Sequence, residues 1–155
     1  MIILLALLVL AGIVVLGAQF GLLRGSAPDD LGVKDGRLKA PSTRPNSVSS
    51  QADLWPDHPR RESARIAPLA GGAATFAKLR PLLASWPGAT VATSRDDYLY
   101  VQFSTPLMKF TDDAEFWLDP ANGVVQVRSA SRLGYRDFDA NRNRIEALRA
   151  RLQGG

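Results

Sequence analysis

Residues Ile2 to Leu23, IILLALLVLAGIVVLGAQFGLL, form 22 consecutive positions without a charge, and they set the first limit on what this chain can fold into. At about 1.5 Å of rise per residue a helix of that length spans about 33 Å, enough to cross a hydrocarbon core of about 30 Å. A cleaved signal peptide is the rival reading. It wants a basic start, a shorter apolar stretch and small residues at the cleavage site, and Leu16, Gly17 and Ala18 match such a site poorly. The segment therefore reads as a retained anchor over residues 1–23. Gly17 and Gly21 give one GxxxG spacing, a weak signal for helix pairing. Arg24, Lys34, Arg37 and Lys39 all follow the apolar run, and the positive-inside rule alone would hold the rest of the chain in the cytoplasm.

What remains must supply the folded core. The net charge is +4, and residues 128 to 155 hold all of it: seven arginines stand there against Asp137, Asp139 and Glu146, whereas residues 1 to 127 balance twelve bases with twelve acids. Arginine outnumbers lysine fifteen to four, and a planar guanidinium suits bidentate contact with carboxylate or phosphate better than an ammonium does. With no cysteine, the chain has no disulfide, thiol nucleophile or thiolate metal site. Its one histidine, His58 in WPDHPRR, cannot build a multi-histidine metal site, and any Ser/His/Asp triad would have to use it. The sequence calls for no cofactor and no metal.

Residues 24–63 are rich in Pro, Ser, Gly, Asp and Arg and lack a sustained period, which reads as an irregular connector. Spaced apolar residues (Leu31, Val33, Leu38, Val48) and turn chemistry at Asp35-Gly36 and Pro45-Asn46 predict that part of it docks. Residues 64–153 then read as one α+β domain. A short first strand is expected at 64–70. Phe76, Leu79, Leu83 and Trp86 mark a helix face over 73–86, with Pro81 inside it predicting a kink or restart. Strands are expected at 90–95, 98–104, 109–118 and 124–131, the last two joined by the turn-forming DPANG of residues 119–123. A last helix, capped by Asp137 or Asp139, carries the stripe Phe138, Asn141, Ile145, Leu148 and Leu152.

Period-two alternation puts Leu99, Val101 and Phe103 on one sheet face with Phe110, Ala114, Phe116, Leu118, Val125 and Val127. That face is expected to pack on the two helices, giving a two-layer α+β sandwich with a mainly antiparallel sheet. The opposite face would present Tyr98, Tyr100, Gln102, Asp113, Glu115, Trp117, Gln126, Arg128 and Arg132 to solvent. If Trp117 lies across from Val124, Asp113 lies across from Arg128, and cross-strand ion pairs of about 0.2 to 1 kcal/mol keep an exposed face soluble and in register. The sharper reading makes Tyr98, Tyr100 and Trp117 a contact surface and Arg128 and Arg132, beside Asp113 and Glu115, the groups that fix an anionic ligand. On that reading, replacing both arginines by glutamine removes capture and leaves stability almost unchanged. Asp112, Asp113 and Glu115 in TDDAEF also suggest acid/base or metal chemistry, yet in a regular strand Asp112 points away from the other two. Asn141, polar within an apolar stripe, is expected to tie the RLGYRD loop to the helix.

Four stretches, GVKDGRL (32–38), PNSVSSQ (45–51), FTDDAEFWLD (110–119) and RSASRLGYRDFDANRNRIEALR (128–149), together resemble the domain of unknown function 1499 family. The resemblance covers nearly everything from Gly32 to Arg151. It implies a small domain behind one hydrophobic segment and brings no activity, cofactor or substrate with it. Many relatives carry two cysteines in a connector pattern like PCPxxPNCVSS; here Pro41 and Ser47 stand in those places. A cysteine pair in relatives suits an oxidising compartment, so the resemblance points to the periplasmic side of an inner membrane, against the charge rule. The functional expectation is a single-pass, cell-envelope binding module for an anionic lipid headgroup, small molecule or protein segment. The alternative is a hydrolase using Asp113 and Glu115 with Arg128 and Arg132. Nucleic-acid binding would require a cytoplasmic domain with a continuous basic surface.

Overall fold

The computed structural model describes residues 1–154. Helix α1 (Ile2–Gln19) has a mean hydropathy of 2.8 and only 6% of its span buried against the rest of the chain, so it is no core helix of the domain. By length and composition it is either a membrane span or a signal sequence.

The domain is a sheet covered on one face by helices. Its strands are β1 (Ser47–Ser49), β2 (Leu69–Ala70), β3 (Ala89–Ser94), β4 (Tyr98–Ser104), β5 (Thr111–Asp119) and β6 (Val124–Ser131). They run antiparallel in the order β1-β6-β5-β4-β3, with β2 also on β6. A one-turn helix α2 (Arg61–Ala64) leads toward β2; α3 (Gly72–Ala84) and α4 (Ala140–Gln153) flank the strand meander. The α+β reading holds. The expected strand at 64–70 is reduced to Leu69 and Ala70, because residues 61–64 close into helix and Arg65 only starts the extended run. The connector instead supplies an edge strand, β1, paired with β6 from Ser47↔Ala130 to Ser49↔Arg128.

The apolar face of the sheet makes the core as its alternation predicts. Leu99, Val101, Phe103, Ala114, Phe116, Val125 and Val127 are buried with Phe76, Leu79 and Leu83 of α3 and Ile145 and Leu148 of α4. Helix α3 continues through Pro81 and ends three residues later at Ala84, without a restart.

Three expectations are corrected. Phe110 does not join the core face: it is 41% exposed and follows Lys109, whose φ of 56° breaks the strand before Thr111. Phe138 is not the first rung of the last helix: Phe138 and Asp139 have φ of 51° and 63°, and the helix starts at Ala140. The β5–β6 register differs by two residues from the one expected: Asp119, not Trp117, lies opposite Val124, and Glu115, not Asp113, lies opposite Arg128. Asp119 causes this. Its carboxylate accepts hydrogen bonds from Asn122 N at 3.2 Å, Asn122 Nδ2 at 2.7 Å and Gln126 Nε2 at 2.9 Å, closing a tight loop and extending the ladder. Because side chains alternate with period two, a two-residue shift changes partners but preserves faces.

Candidate functional site

Alternation on β4, β5 and β6 gathers Tyr98, Tyr100, Gln102, Asp113, Glu115, Gln126 and Arg128 on the sheet face away from the helices, and Arg132 reaches the same face from just beyond β6. Register then decides who meets whom. Tyr98 pairs across with Trp117 and Tyr100 with Glu115, so each phenol reaches the diagonal carboxylate: Tyr98 Oη donates to Glu115 Oε1 at 2.8 Å and Tyr100 Oη to Asp113 Oδ1 at 2.6 Å. Arg132 forks onto Asp113, with Nε to Oδ2 at 2.8 Å and Nη2 to Oδ1 at 2.7 Å. Arg128 Nη1 stands 3.6 Å from Glu115 Oε2, an ion pair too long for a good hydrogen bond. Glu115 Oε2 is buried without a hydrogen-bond partner.

This face is not open to solvent, contrary to the expectation. Glu115 is 0% exposed, Asp113 1% and Arg128 4%, because the connector lies across them. Gly32 N donates to Glu115 Oε1 at 2.7 Å, Arg128 Nε donates to Ala40 O at 3.1 Å, and Arg132 Nη1 donates to Gly25 O at 3.3 Å. Gln51 holds the same strap from within, accepting from Leu38 N at 2.8 Å and donating to Gly36 O at 3.0 Å. Leu38 itself is buried beneath it. Gly25 has φ of 66° and a Cβ there would stand 3.0 Å from Arg132 Cβ, so the chain passes this point closely enough to require glycine.

Burial and charge act on the titrating groups in opposite ways. Burial lowers the Arg128 pKa from its ordinary value, with Glu115 pulling the other way. Asp113 raises that of Arg132 through its hydrogen bonds. Burial pushes the Tyr98 and Tyr100 phenols up, and the carboxylates Glu115 and Asp113 beside them add to the rise.

Two of the predicted site residues stand apart from this cluster. Trp117 is half-buried and lines an open cavity of about 560 Å³ with Asp119, Gln126, Leu54 and Gly36. Asp112 faces the helices, where Arg144 Nη2 donates to its Oδ2 at 2.6 Å. The three carboxylates of TDDAEF therefore do not converge, and among the described residues no group of three His, Asp or Glu is placed to hold a metal ion. Asn141 is fully buried. Its Oδ1 accepts from Ser129 Oγ and, at 2.9 Å, from Arg144 Nη1, while Nδ2 donates to Asn46 O at 3.2 Å, Ser131 Oγ at 3.0 Å and Asp137 Oδ2 at 2.8 Å. Asp137 also accepts from the Asn141 and Asp139 amides at 3.0 and 3.2 Å, capping α4 from three residues before it. His58 only turns its own loop, its Nδ1 accepting from Arg60 N at 3.1 Å.

Sequence reasoning missed a second feature, on the outer side of the strap. A cavity of about 520 Å³ is lined there by Lys34, Arg37, Lys39 and Trp55, with Asp30 and Asp35. Lys39 is paired with Asp30 at 2.6 Å, and the Arg37 guanidinium lies 5.9 Å from the Trp55 ring centroid. Trp55 Nε1 is buried without a partner. The turn at Asp35-Gly36 and the apolar residues spaced around it were the signals in the sequence that this stretch would fold back onto the domain.

No curated protein and no solved structure matches the chain. The family described as "protein of unknown function (DUF1499)" matches residues 37–152. The match takes in the sheet, both flanking helices and the C-terminal end of the strap, and the chain belongs to this family.

Proposed function

We propose that this protein is a membrane-anchored, non-catalytic interaction module of the cell envelope, its domain on the periplasmic side, and that it holds an anionic partner. One observation carries the reading. The charged residues of the sheet face are locked onto each other beneath the strap, while Lys34 and Arg37 line an open cavity and, among the described residues, make no ion pair of their own. The anion-binding role first assigned to Arg128 and Arg132, with Tyr98, Tyr100, Asp113 and Glu115 around them, passes on this reading to the outer wall of the strap, and the buried cluster becomes its clamp. A carboxylate, an anionic lipid headgroup or an acidic protein segment has the chemistry to meet Lys34, Arg37 and the Trp55 indole N–H there.

The hydrolase reading is less well supported. An acid/base pair needs reach to a substrate proton, and both oxygens of Asp113 are already taken by Arg132 and Tyr100. Retention of α1 is favoured by a bond from its end to the domain, Gln19 Nε2 donating to Leu107 O at 2.7 Å. The test is a titration of the full chain, in nanodiscs of zwitterionic lipid, with glycerol phosphate and with a glutamate-rich peptide, followed by tryptophan fluorescence. A saturable change lost in the K34Q/R37Q double variant is expected. No saturable change with either probe, or one that survives in the double variant, would overturn the assignment.

A further inference from the structure

We propose that the end of the domain carrying the β4–β5 loop (residues 105–110) and the β6–α4 loop (residues 132–139) rests on the bilayer crossed by α1, with Leu107, Phe110, Leu133, Tyr135 and Phe138 seated among the lipid headgroups. The inference rests on α1 being a retained anchor. Its first support is where exposed apolar side chains lie. Beyond the exit of α1, the exposed large hydrophobic residues among those described are Leu54 at 42% and then Leu107 at 60%, Phe110 at 41%, Leu133 at 41%, Tyr135 at 62% and Phe138 at 88%. All but Leu54 sit on these two loops, at one end of the sheet. Exposed apolar residues scattered singly need no explanation, whereas a cluster of them marks a contact surface.

The second support is continuity with α1. Its last residue, Gln19, donates to Leu107 O at 2.7 Å, and two loops further on Arg132 donates to Gly25 O at 3.3 Å. Phe20 and Leu22, 83% and 78% exposed, extend the apolar surface from the helix to the loops. The apolar ring is therefore at the level where the helix leaves the membrane. Between the loops, Phe110, Leu133 and Phe138 line a cavity of about 330 Å³, open to an acyl chain or glycerol backbone.

The third support is conformational. Lys109 and Phe138 have φ of 56° and 51°, and a bulky residue in the left-handed region is an outlier that surrounding structure must hold. For Phe138 that conformation turns an aromatic ring outward, where no other part of the protein covers it. Exposed Arg24 and Arg136 and half-buried Lys109 border the apolar side chains, which is the order of groups that an interface between lipid and water favours, rings at headgroup level with cations beside phosphates.

The chain contains no cysteine, so a single introduced thiol reports one position. The full chain is reconstituted into vesicles of phosphatidylcholine and phosphatidylglycerol with an environment-sensitive fluorophore at Leu107→Cys, Leu133→Cys or Phe138→Cys. Leu8→Cys in α1 and Asn122→Cys at the far end of the sheet serve as references, and spin-labelled lipids act as quenchers. Blue-shifted, lipid-quenched emission is expected at 107, 133, 138 and 8, with none at 122. Quenching at 8 alone overturns the docking and leaves the anchor standing, and equal quenching at 122 also overturns it. No quenching at 8 overturns the anchor itself and the docking with it.

Discussion

Arg132 and Asp113 show at the residue scale why this chain prefers arginine to lysine. The guanidinium meets two carboxylate oxygens, a phenol and a carbonyl at once, which an ammonium point charge cannot do in one plane. The same use recurs along the C-terminal arginines. Arg142 donates to Ser63 O and Arg65 O, each at 2.9 Å, and Arg149 donates to Ala67 O and Pro68 O, each at 2.7 Å. Much of the positive charge in residues 128 to 155 is thus spent holding the upstream chain in place. Arg132→Gln leaves Asp113 as an uncompensated buried charge, so unfolding in urea is expected to lose about 3–5 kcal/mol. That contradicts the near-neutral outcome expected for an exposed face, and the joint replacement of Asp113 and Arg132 by leucine and methionine should cost far less than the single change. The tyrosines give a pH signature. Their pKa values are raised in the folded chain, so its stability is full below the ordinary phenol value of about 10 and falls as pH rises above it, where the unfolded chain releases protons that the native one keeps. Tyr98→Phe with Tyr100→Phe should flatten this alkaline loss in urea unfolding measured from pH 8 to 11.

The strands β4, β5 and β6 were legible as elements, because strict alternation and a DPANG turn leave little choice of faces. Their partners were not: the side chain of Asp119 decides the loop geometry, and no periodicity records that bond. Helix α4 was legible from its aspartate cap to Leu152 for the same reason, while Phe138 was misplaced on its stripe because two left-handed residues read as ordinary apolar and cap positions. Both elements can be tested. Asp137→Ala removes the acceptor for the Asn141 and Asp139 amides and should cost about 0.5–2 kcal/mol. Asn141→Ala leaves polar partners on β6 and at Asn46 unsatisfied, and should cost about 1–3 kcal/mol in the same urea experiment. A loss below about 0.5 kcal/mol for Asn141→Ala would mean that α4 is held by its apolar face and its arginines without Asn141.

At the scale of the whole molecule, the connector is a third layer. Residues 24–63 read as an irregular connector that docks in part, without a sign of where, since turn-forming residues without a period are what linkers and docked straps have in common. What distinguishes them is the far side of the contact, the charged sheet face, which alternation revealed but which looks equally suited to water. Burying a sheet face that bears Glu115 and Arg128 leaves their hydrogen-bonding groups in need of partners, and the strap's backbone supplies one to each, Gly32 N to Glu115 Oε1 and Ala40 O to Arg128 Nε. The most direct measurement is amide hydrogen exchange of the full chain in nanodiscs. Gly32 and Leu38, whose amides bond to the buried side chains of Glu115 and Gln51, should exchange as slowly as strand amides of β5. Exchange of both at the rate of an unstructured chain would contradict the account.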